Sequence, residues 1–351
     1  MAVRGNLVAV ERLAEFDERI DVRSPSEYAL DHVPRAISAP VLNDEERERI
    51  GTLHAQSAFD AKREGAALIS RNIATMLESA FAGRPREWRP LVYCWRGGKR
   101  SGALAHVLNE VGWRASQLEG GYKAYRRYVV ERLALLPDKF SYRVICGVTG
   151  SGKSRLLQAL DAAGAQVLDL EQIARHRGSL LGDLPSSPQP SQKAFETALH
   201  DRFEALDATR PVYVESESRK VGELRVPQNL MDRMWQSPCI KVETDDAQRI
   251  ALLREEYVHF IDDVDALDAR LQHLTALRGA ATTSRWRELA LAGDWDALVA
   301  DLLSEHYDPA YLKSIRQNFP HYDEAAGVAL TGIDDASFAD AARRVIELHG
   351  H

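Results

Sequence analysis

Arg143-Val144-Ile145-Cys146-Gly147-Val148-Thr149-Gly150-Ser151-Gly152-Lys153-Ser154 reads as a buried strand, a glycine-rich turn and the start of a helix. Residues 147–154 have the spacing G-x4-G-K-[ST], in which backbone N–H groups wrap a diphosphate and the lysine reaches its terminal oxygens. Gly147, Gly150, Ser151, Gly152, Lys153 and Ser154 are therefore candidate ligand-binding residues. Ser154 also admits a Mg²⁺ ion. The pattern predicts a helix over 153–163 and a further strand over 166–170. Residues 211–214 and 239–242 read as two more buried strands. An aspartate at a neighbouring strand end normally completes such a site, but residues 215–220 offer Glu215 and Glu217 instead. ATP hydrolysis is thus not assured, and another diphosphate ligand stays open.

Upstream lies a second informative stretch, Tyr93-Cys94-Trp95-Arg96-Gly97-Gly98-Lys99-Arg100-Ser101. An apolar strand, 91–93, runs into Cys94. Gly97 and Gly98 let the loop curl so that several N–H groups point inward, and Ser101 is placed to cap a helix over 101–111 that stops at Gly112. Such a nest lowers a thiol pKa and favours the nucleophilic thiolate. Arg96, Lys99 and Arg100 strengthen the same field. Cys146 and Cys239 sit inside apolar strands and read as core filling.

The chain has 351 residues, enough for two domains, and is 45% hydrophobic and 28% charged, as globular proteins are. Its three cysteines form no CxxC pair, which argues against a disulfide scaffold or a zinc site. No metal-ligand set is assigned. No apolar run approaches the ~20 residues that span a bilayer, and no signal-peptide core stands at the N-terminus. A cytoplasmic protein with no membrane partner is expected. Net charge is −7, yet residues 84–132 hold 11 Lys/Arg against 4 Asp/Glu. That stretch is either a local anion-binding face or a set of solvated helix faces. Strands are also expected at 18–22 and 36–39, mostly helix over 42–77, a loop over 186–191 and mostly helix from 246 onward. The likeliest joint lies at 133–139. Strand alternating with helix implies parallel sheets covered on both faces.

Asp21-Val-Arg-Ser-Pro-Ser-Glu-Tyr28, His32-Val33-Pro34, the Cys94 loop and Glu119-Gly120-Gly121-Tyr122 together resemble a rhodanese domain, whose cysteine carries a persulfide in a ring of amides. The family's GHIPGA appears here as Asp31-His32-Val33-Pro34-Arg35-Ala36, without either glycine. Pro34 is expected to preserve the turn. The spacing from Cys94 to Arg100 is one residue longer than in common sulfurtransferases and matches cysteine phosphatases, although their loops usually carry an acid.

With the P-loop added, residues 10–312 resemble the tRNA 2-selenouridine synthases. Leu42 to Arg47 with Gly51-Thr52, Leu170-Glu171, His176 to Ser179, Gln189 to Lys193, Glu215 to Lys220 and Tyr307-Asp308-Pro309 carry that likeness. It implies an α/β chain: an N-terminal rhodanese-like parallel sheet with flanking helices (10–135), a P-loop α/β core (140–245), and a mostly helical C-terminal region (246–351) packed on it. It implies an enzyme that replaces sulfur by selenium in 2-thiouridine at the wobble position, 34, using selenophosphate and passing through an S-geranyl intermediate made from geranyl diphosphate. Cys94 would carry selenium as S-selanylcysteine, and the Lys153 loop would hold the diphosphate. No tightly bound cofactor is implied. Arg84, Arg86, Arg89, Lys123, Arg126 and Arg127 become candidate tRNA phosphate contacts. Trp95 either stacks on an anticodon base or forms a hydrophobic wall. The rival reading is a rhodanese-type sulfurtransferase with a nucleotide-binding regulatory domain.

Overall fold

The computed structural model of the chain describes residues 6–179, 181–184 and 187–349. Two compact units emerge: Met1–Leu133 with Pro190–Asp201, and Ala134–Gln189 with Arg202–His351.

The first unit is built on strands β1 (Leu7–Val8), β2 (Glu18–Asp21), β3 (Ala36–Ser38), β4 (Pro90–Tyr93) and β5 (Ser116–Leu118), ordered β1-β5-β4-β2-β3. All neighbours run parallel. Helices α1 (Pro25–Leu30), α2 (Asp44–Gln56), α3 (Ala58–Glu78), α4 (Lys99–Val111) and α5 (Gly121–Leu133) connect them. Every residue of β4 is buried, as a central parallel strand requires. The helical stretch expected over 42–77 breaks at Ser57, whose side chain accepts from the Asp60 amide and caps α3. Helix α4 starts at Lys99 rather than Ser101. Gly97, at φ 64°, turns the chain early, so Gly98 takes the cap position and Ser101 points inward. The turn after His32 survives without its glycines: Ala36 N–H donates to the Val33 carbonyl at 3.0 Å, and Arg35 adopts φ 61°. That left-handed conformation costs a non-glycine residue about 1–2 kcal/mol.

The second unit holds β6 (Tyr142–Cys146), α6 (Lys153–Ala162), β7 (Gln166–Leu168), α7 (Leu170–Ala174), α8 (Gln192–Glu204), β8 (Val212–Glu215), the hairpin β9 (Lys220–Val221) and β10 (Leu224–Arg225), α9 (Gln228–Trp235), β11 (Cys239–Glu243) and α10 (Asp246–Glu256). Residues 192–201 of α8 group instead with the first unit, outside the core expected for 140–245. Strand β7 stops two residues short of the expected Leu170, because Asp169 accepts from the Gln172 amide at 2.7 Å and starts α7. Of the loop expected over 186–191, Ser186 lies outside the described residues.

Helices α11 (Val258–Asp262), α12 (Val264–Gln272), α13 (Thr275–Arg278), α14 (Ala280–Ala292) and α15 (Trp295–Leu302) follow. They surround a core that includes Trp286, Leu271 and Leu298. After a π-helical turn at Leu303–Tyr307 come α16 (Asp308–Asn318), β12 (Ala326–Ala329) and α17 (Asp335–His349). The C-terminal region is thus not only helical: β12 pairs parallel with β11 and completes the order β12-β11-β6-β8-β7. Phe338, Ala341, Ala342 and Val345 of α17 share a core with Leu156, Leu157 and Leu160 of α6. Among the described residues, no helix is long and apolar enough to cross a membrane.

One buried ion pair anchors the first unit. Arg23 reaches Asp21 at 2.6 Å with side chains 1% and 0% exposed, donates to the Asp31 carbonyl at 2.6 Å, and lies 3.8 Å over the Tyr122 ring. Arg23→Ala strands the Asp21 charge in the core. Denaturant unfolding followed by tryptophan fluorescence should show a loss of about 3–5 kcal/mol in this unit.

Candidate active site

Cys94 stands just past the carboxyl end of β4, where open parallel sheets present their binding loops. Its Sγ accepts from the Gly98 amide at 3.3 Å and from Ser101 Oγ–H at 3.2 Å. Gln117 Nε2 donates to Ser101 Oγ at 2.8 Å and to the Gly97 and Gly98 carbonyls, which occupies one lone pair of the hydroxyl and leaves its proton the sulfur and, at 3.3 Å, the Gly98 carbonyl. Gly97 is obligatory, since a Cβ there would lie 2.5 Å from the Leu118 carbonyl oxygen. The Glu119-Gly120-Gly121-Tyr122 segment backs the loop: the Tyr122 and Lys123 amides donate to the Cys94 and Trp95 carbonyls at 2.8 and 2.9 Å. Burial pushes the Cys94 thiol up. The Ser101 hydroxyl, the Ser101 and Gly98 amides and the Arg100 charge outweigh it, so the pKa lies below the ordinary thiol value. Ser101 and Gln117 had no such role in the sequence reading, where Ser101 was only a cap. Arg100 is bound to Glu27 at 2.8 Å and acts on sulfur through its charge alone, while Arg96 and Lys99 are exposed. Cys146 and Cys239 are buried strand residues, as expected.

The candidate RNA contacts separate. Arg84, Arg86 and Arg89 precede β4, at the opposite end of the strand from Cys94. Arg84 pairs with Glu18 at 2.8 Å and Arg89 with Asp17 at 3.2 Å. Arg126 is largely buried: it pairs with Glu196 and donates to the Lys193 carbonyl and Thr197 Oγ1, both at 3.2 Å. It holds α8 rather than presenting a free charge. Lys123, Arg127 and Trp95 are exposed on the carboxyl-end side, with Trp95 next to Cys94 and tilted against Tyr122 at 5.5 Å.

In the second unit, the 147–154 loop joins β6 to α6, with Gly150 and Gly152 at φ 75° and 81°. Lys153 Nζ donates to the Gly147 carbonyl at 2.9 Å and lies 5.4 Å over the Tyr311 ring. Tyr311 hydroxyl accepts from the Gly147 amide at 2.9 Å. Arg249, nearly buried, grips the Thr149 carbonyl at 2.9 and 3.0 Å and pairs with Asp308 at 2.6 Å, which gives the Tyr307-Asp308-Pro309 segment a bracing role. The loop opens on a cavity of about 1110 Å³, with Tyr307, Tyr311, Ile315 and Phe319 on its wall.

Glu171, Glu215 and Glu217 meet beside the loop, each offering an oxygen within 4.8 Å of the others. Sequence reasoning gave Glu171 no role; it lies in the first turn of α7, three residues past the end of β7. Ser154 Oγ–H donates to Glu171 at 3.1 Å. Gly178, at φ 67°, comes so close that a Cβ would lie 2.9 Å from a Glu217 oxygen. Burial, then the neighbouring carboxylates, push Glu171 and Glu215 well up; burial, then the Glu215 charge, push Glu217 up to about 7. Glu215 Oε1 is buried with no hydrogen-bond partner. These donors fit the hard divalent cation that a P-loop fold implies.

Ser101→Ala removes one donor to sulfur and leaves Ser101's neighbours in place. The midpoint of the pH–rate profile for alkylation of Cys94 should rise by about one unit, matching loss of a ~1–1.5 kcal/mol hydrogen bond to the thiolate.

Residues 9–128 match the rhodanese-like domain family, and residues 140–267 match the family described as tRNA 2-selenouridine synthase AAA domain. The tRNA 2-selenouridine synthase of Marinobacter nauticus is 32% identical, over 83% of this chain and 86% of that protein. The one from Sulfurovum sp. is 31% identical over 85% and 89%, and the one from Salmonella arizonae 34% identical over 83% and 88%. With likeness of this extent across both units, the chain belongs to the tRNA 2-selenouridine synthase family, enzymes that modify tRNA.

Proposed function

We propose that this enzyme replaces the sulfur of 2-thiouridine at tRNA position 34 with selenium from selenophosphate, by way of an S-geranyl intermediate made from geranyl diphosphate. The observation that carries the reading is that one chain provides two dissimilar anion sites. One is a thiol of lowered pKa in an amide nest. The other is a phosphate loop opening on a cavity whose lining, mostly polar and charged, includes an apolar stretch at Tyr307, Tyr311, Ile315 and Phe319.

In this reading the Gly147, Gly150, Ser151 and Gly152 backbone cradles the diphosphate and Lys153 neutralises its terminal oxygens. Tyr311, Ile315 and Phe319 offer the hydrocarbon chain an apolar stretch within a cavity otherwise lined mostly by polar and charged residues. The thiouridine sulfur attacks C1 of the geranyl group, the C–O bond breaks, diphosphate leaves and the N3 proton is lost. Alkylated sulfur is a better leaving group than a thiocarbonyl. Selenophosphate yields selenium at the selenide level when its P–Se bond is hydrolysed and phosphate leaves. Loading Cys94 as S-selanylcysteine therefore takes a two-electron oxidant such as a disulfide, which is reduced to thiols. The terminal selenium then attacks C2 of the base and geranylthiol departs. A thiol attacks the Cys94 sulfur to cleave the S–Se bond, leaving a mixed disulfide and selenium on C2. The Gly98 amide and Ser101 stabilise the negative charge on Cys94. A Mg²⁺ ion on Ser154, Glu171, Glu215 and Glu217 would neutralise charge on the diphosphate when bound.

The deciding experiment is nucleoside mass spectrometry of 2-thiouridine tRNA incubated with enzyme and selenophosphate, geranyl diphosphate, or both. A geranyl adduct with geranyl diphosphate alone, and selenium for sulfur with both, is the expected pattern; no altered nucleoside under any condition refutes the reading. Cys94→Ala should abolish selenium incorporation and leave geranylation within about threefold. Lys153→Ala should slow geranylation by about 10–100-fold, the scale of losing a charged hydrogen-bond donor.

The acidic cluster adds a pH signature. A carboxylate whose folded pKa is raised contributes stability below its unfolded pKa and loses it as pH climbs through the folded value. With chelator present, the second unit should therefore lose stability between pH ~5 and ~7, by about 3 kcal/mol from Glu217 alone, whose pKa rises from 4.5 to about 7. Glu217→Gln should flatten that slope, and millimolar Mg²⁺ should restore wild-type stability at pH 8. Thermal melts across pH, with and without Mg²⁺, measure both.

A further inference from the structure

We propose that Lys193 is an RNA-positioning residue of the Cys94 site, although its place in the sequence, between β7 and β8, assigns it to the P-loop half of the chain. The inference rests on tRNA being the substrate, as the family assignment has it.

Three observations carry it. First, residues 190–201 are built into the first unit. Ser191 Oγ–H donates to the Leu30 carbonyl at 2.6 Å, and Thr197 Oγ1–H donates to Asp31 at 3.1 Å. Phe195 and Leu199 are fully buried. Arg126 ties down the Lys193 carbonyl itself at 3.2 Å. The backbone of Lys193 is therefore fixed by groups other than its own side chain.

Second, that fixed backbone delivers the ammonium to a defined place. Lys193 Nζ lies 5.9 Å from the centroid of the Trp95 ring. Trp95 directly follows Cys94, is 36% exposed, and is steadied on its other contact by Tyr122. An exposed aromatic ring beside a nucleophile, next to a cation, matches how proteins hold an unstacked base and its flanking phosphate.

Third, the charge there is uncompensated. Among the described residues, Lys193, Arg96, Lys99 and Lys123 pair with no carboxylate, whereas Arg84, Arg89, Arg100 and Arg126 all do. The unpaired cations lie on the loops and helix starts at the carboxyl end of the sheet, around Cys94. A strand of RNA with one base turned out is the polyanion this rim fits. Lys193 is the member that no reading of the 84–132 stretch includes.

Full-length wild type and the Lys193→Ala, Lys193→Glu and Lys193→Arg variants would be titrated with 2-thiouridine tRNA at several salt concentrations, with Lys62→Ala of exposed α3 as a control. At 0.1 M salt, Lys193→Ala should bind several-fold more weakly and Lys193→Glu more weakly still. Lys193→Arg and Lys62→Ala should bind like wild type. The slope of log K against log salt should shrink by about 0.7–0.9 in Lys193→Ala, one phosphate contact fewer. Melting temperatures within error of wild type would show that α8 stays docked. Unchanged affinity and slope in both Ala and Glu variants would overturn the proposal while leaving tRNA as the substrate. A loss that Lys193→Arg fails to rescue would overturn it too, because the lost element would not be a positive charge. A wild-type protein that binds no tRNA would overturn this inference and the substrate assignment together.

Discussion

A strand that ends inside a parallel sheet and turns straight into a helix leaves backbone N–H groups without partners, and both candidate sites are answers to that single constraint. At β4–α4 the free amides face a sulfur; at β6–α6 they line a loop shaped for phosphates. A helix N-terminus alone is worth only about 0.3–1 kcal/mol to an exposed anion. That would not offset burial of a thiolate. The balance tips at Cys94 because the Gly98 amide, the Ser101 hydroxyl and the Arg100 charge act on one atom. Gln117 matters for the same reason, since the bond it donates occupies one lone pair of that hydroxyl and narrows the directions its proton can take.

Charge is sorted by what it faces rather than by where it falls in the sequence. The surplus of cations over residues 84–132 is real, but much of it is consumed internally. Arg126 shows why. Its guanidinium meets Glu196 and Thr197 on α8, close to the Asp31 carboxylate that Tyr122 and Thr197 also bind. Asp31 occupies the position where the usual rhodanese turn has a glycine. The substitution costs nothing in backbone freedom there and supplies an acceptor for the inserted helix. Arg35, two residues past Val33, takes the strained left-handed turn instead.

Much of this architecture is legible in the sequence, for physical reasons. Glycines at 147, 150 and 152 before Lys153, and at 97 and 98 after Cys94, mark strand–turn–helix junctions that few other arrangements explain. Buried parallel strands such as 91–93 and 143–146 announce themselves as short apolar runs. Local signals fail where the deciding partner is remote. Strand β12, Ala-Gly-Val-Ala, has a single buried residue and is a strand only because β11 offers an edge. Ser101 reads as a cap until Gly97 turns the chain early. The assignment of 190–201 to the first unit depends on Asp31, Leu30 and Arg126, more than sixty residues away. No window of sequence contains those contacts.

The acidic cluster sets the terms on which the P-loop can take its ligand. Two unit charges about 4 Å apart repel by about 4 kcal/mol at the effective dielectric typical of protein sites. Glu171, Glu215 and Glu217 cannot all ionise together at that cost. Lys153 supplies one positive charge and also donates to the Gly147 and Val148 carbonyls. The cavity as a whole is lined by Lys153, Arg155, Arg177, Arg219 and Lys220 against Asp169, Glu171, Glu215, Glu217, Glu255 and Glu256, so three ionised glutamates beside the loop would weaken its hold on a diphosphate. The site takes an anion more readily when the cluster holds a proton or a divalent cation. The raised pKa values of all three acids are the proton-bound answer. Glu215 Oε1, buried with no partner, is the mark of a place suited to the other answer. Glutamates in place of the usual aspartate therefore do not disqualify the loop from phosphate chemistry; they make its charge depend on what occupies the cluster.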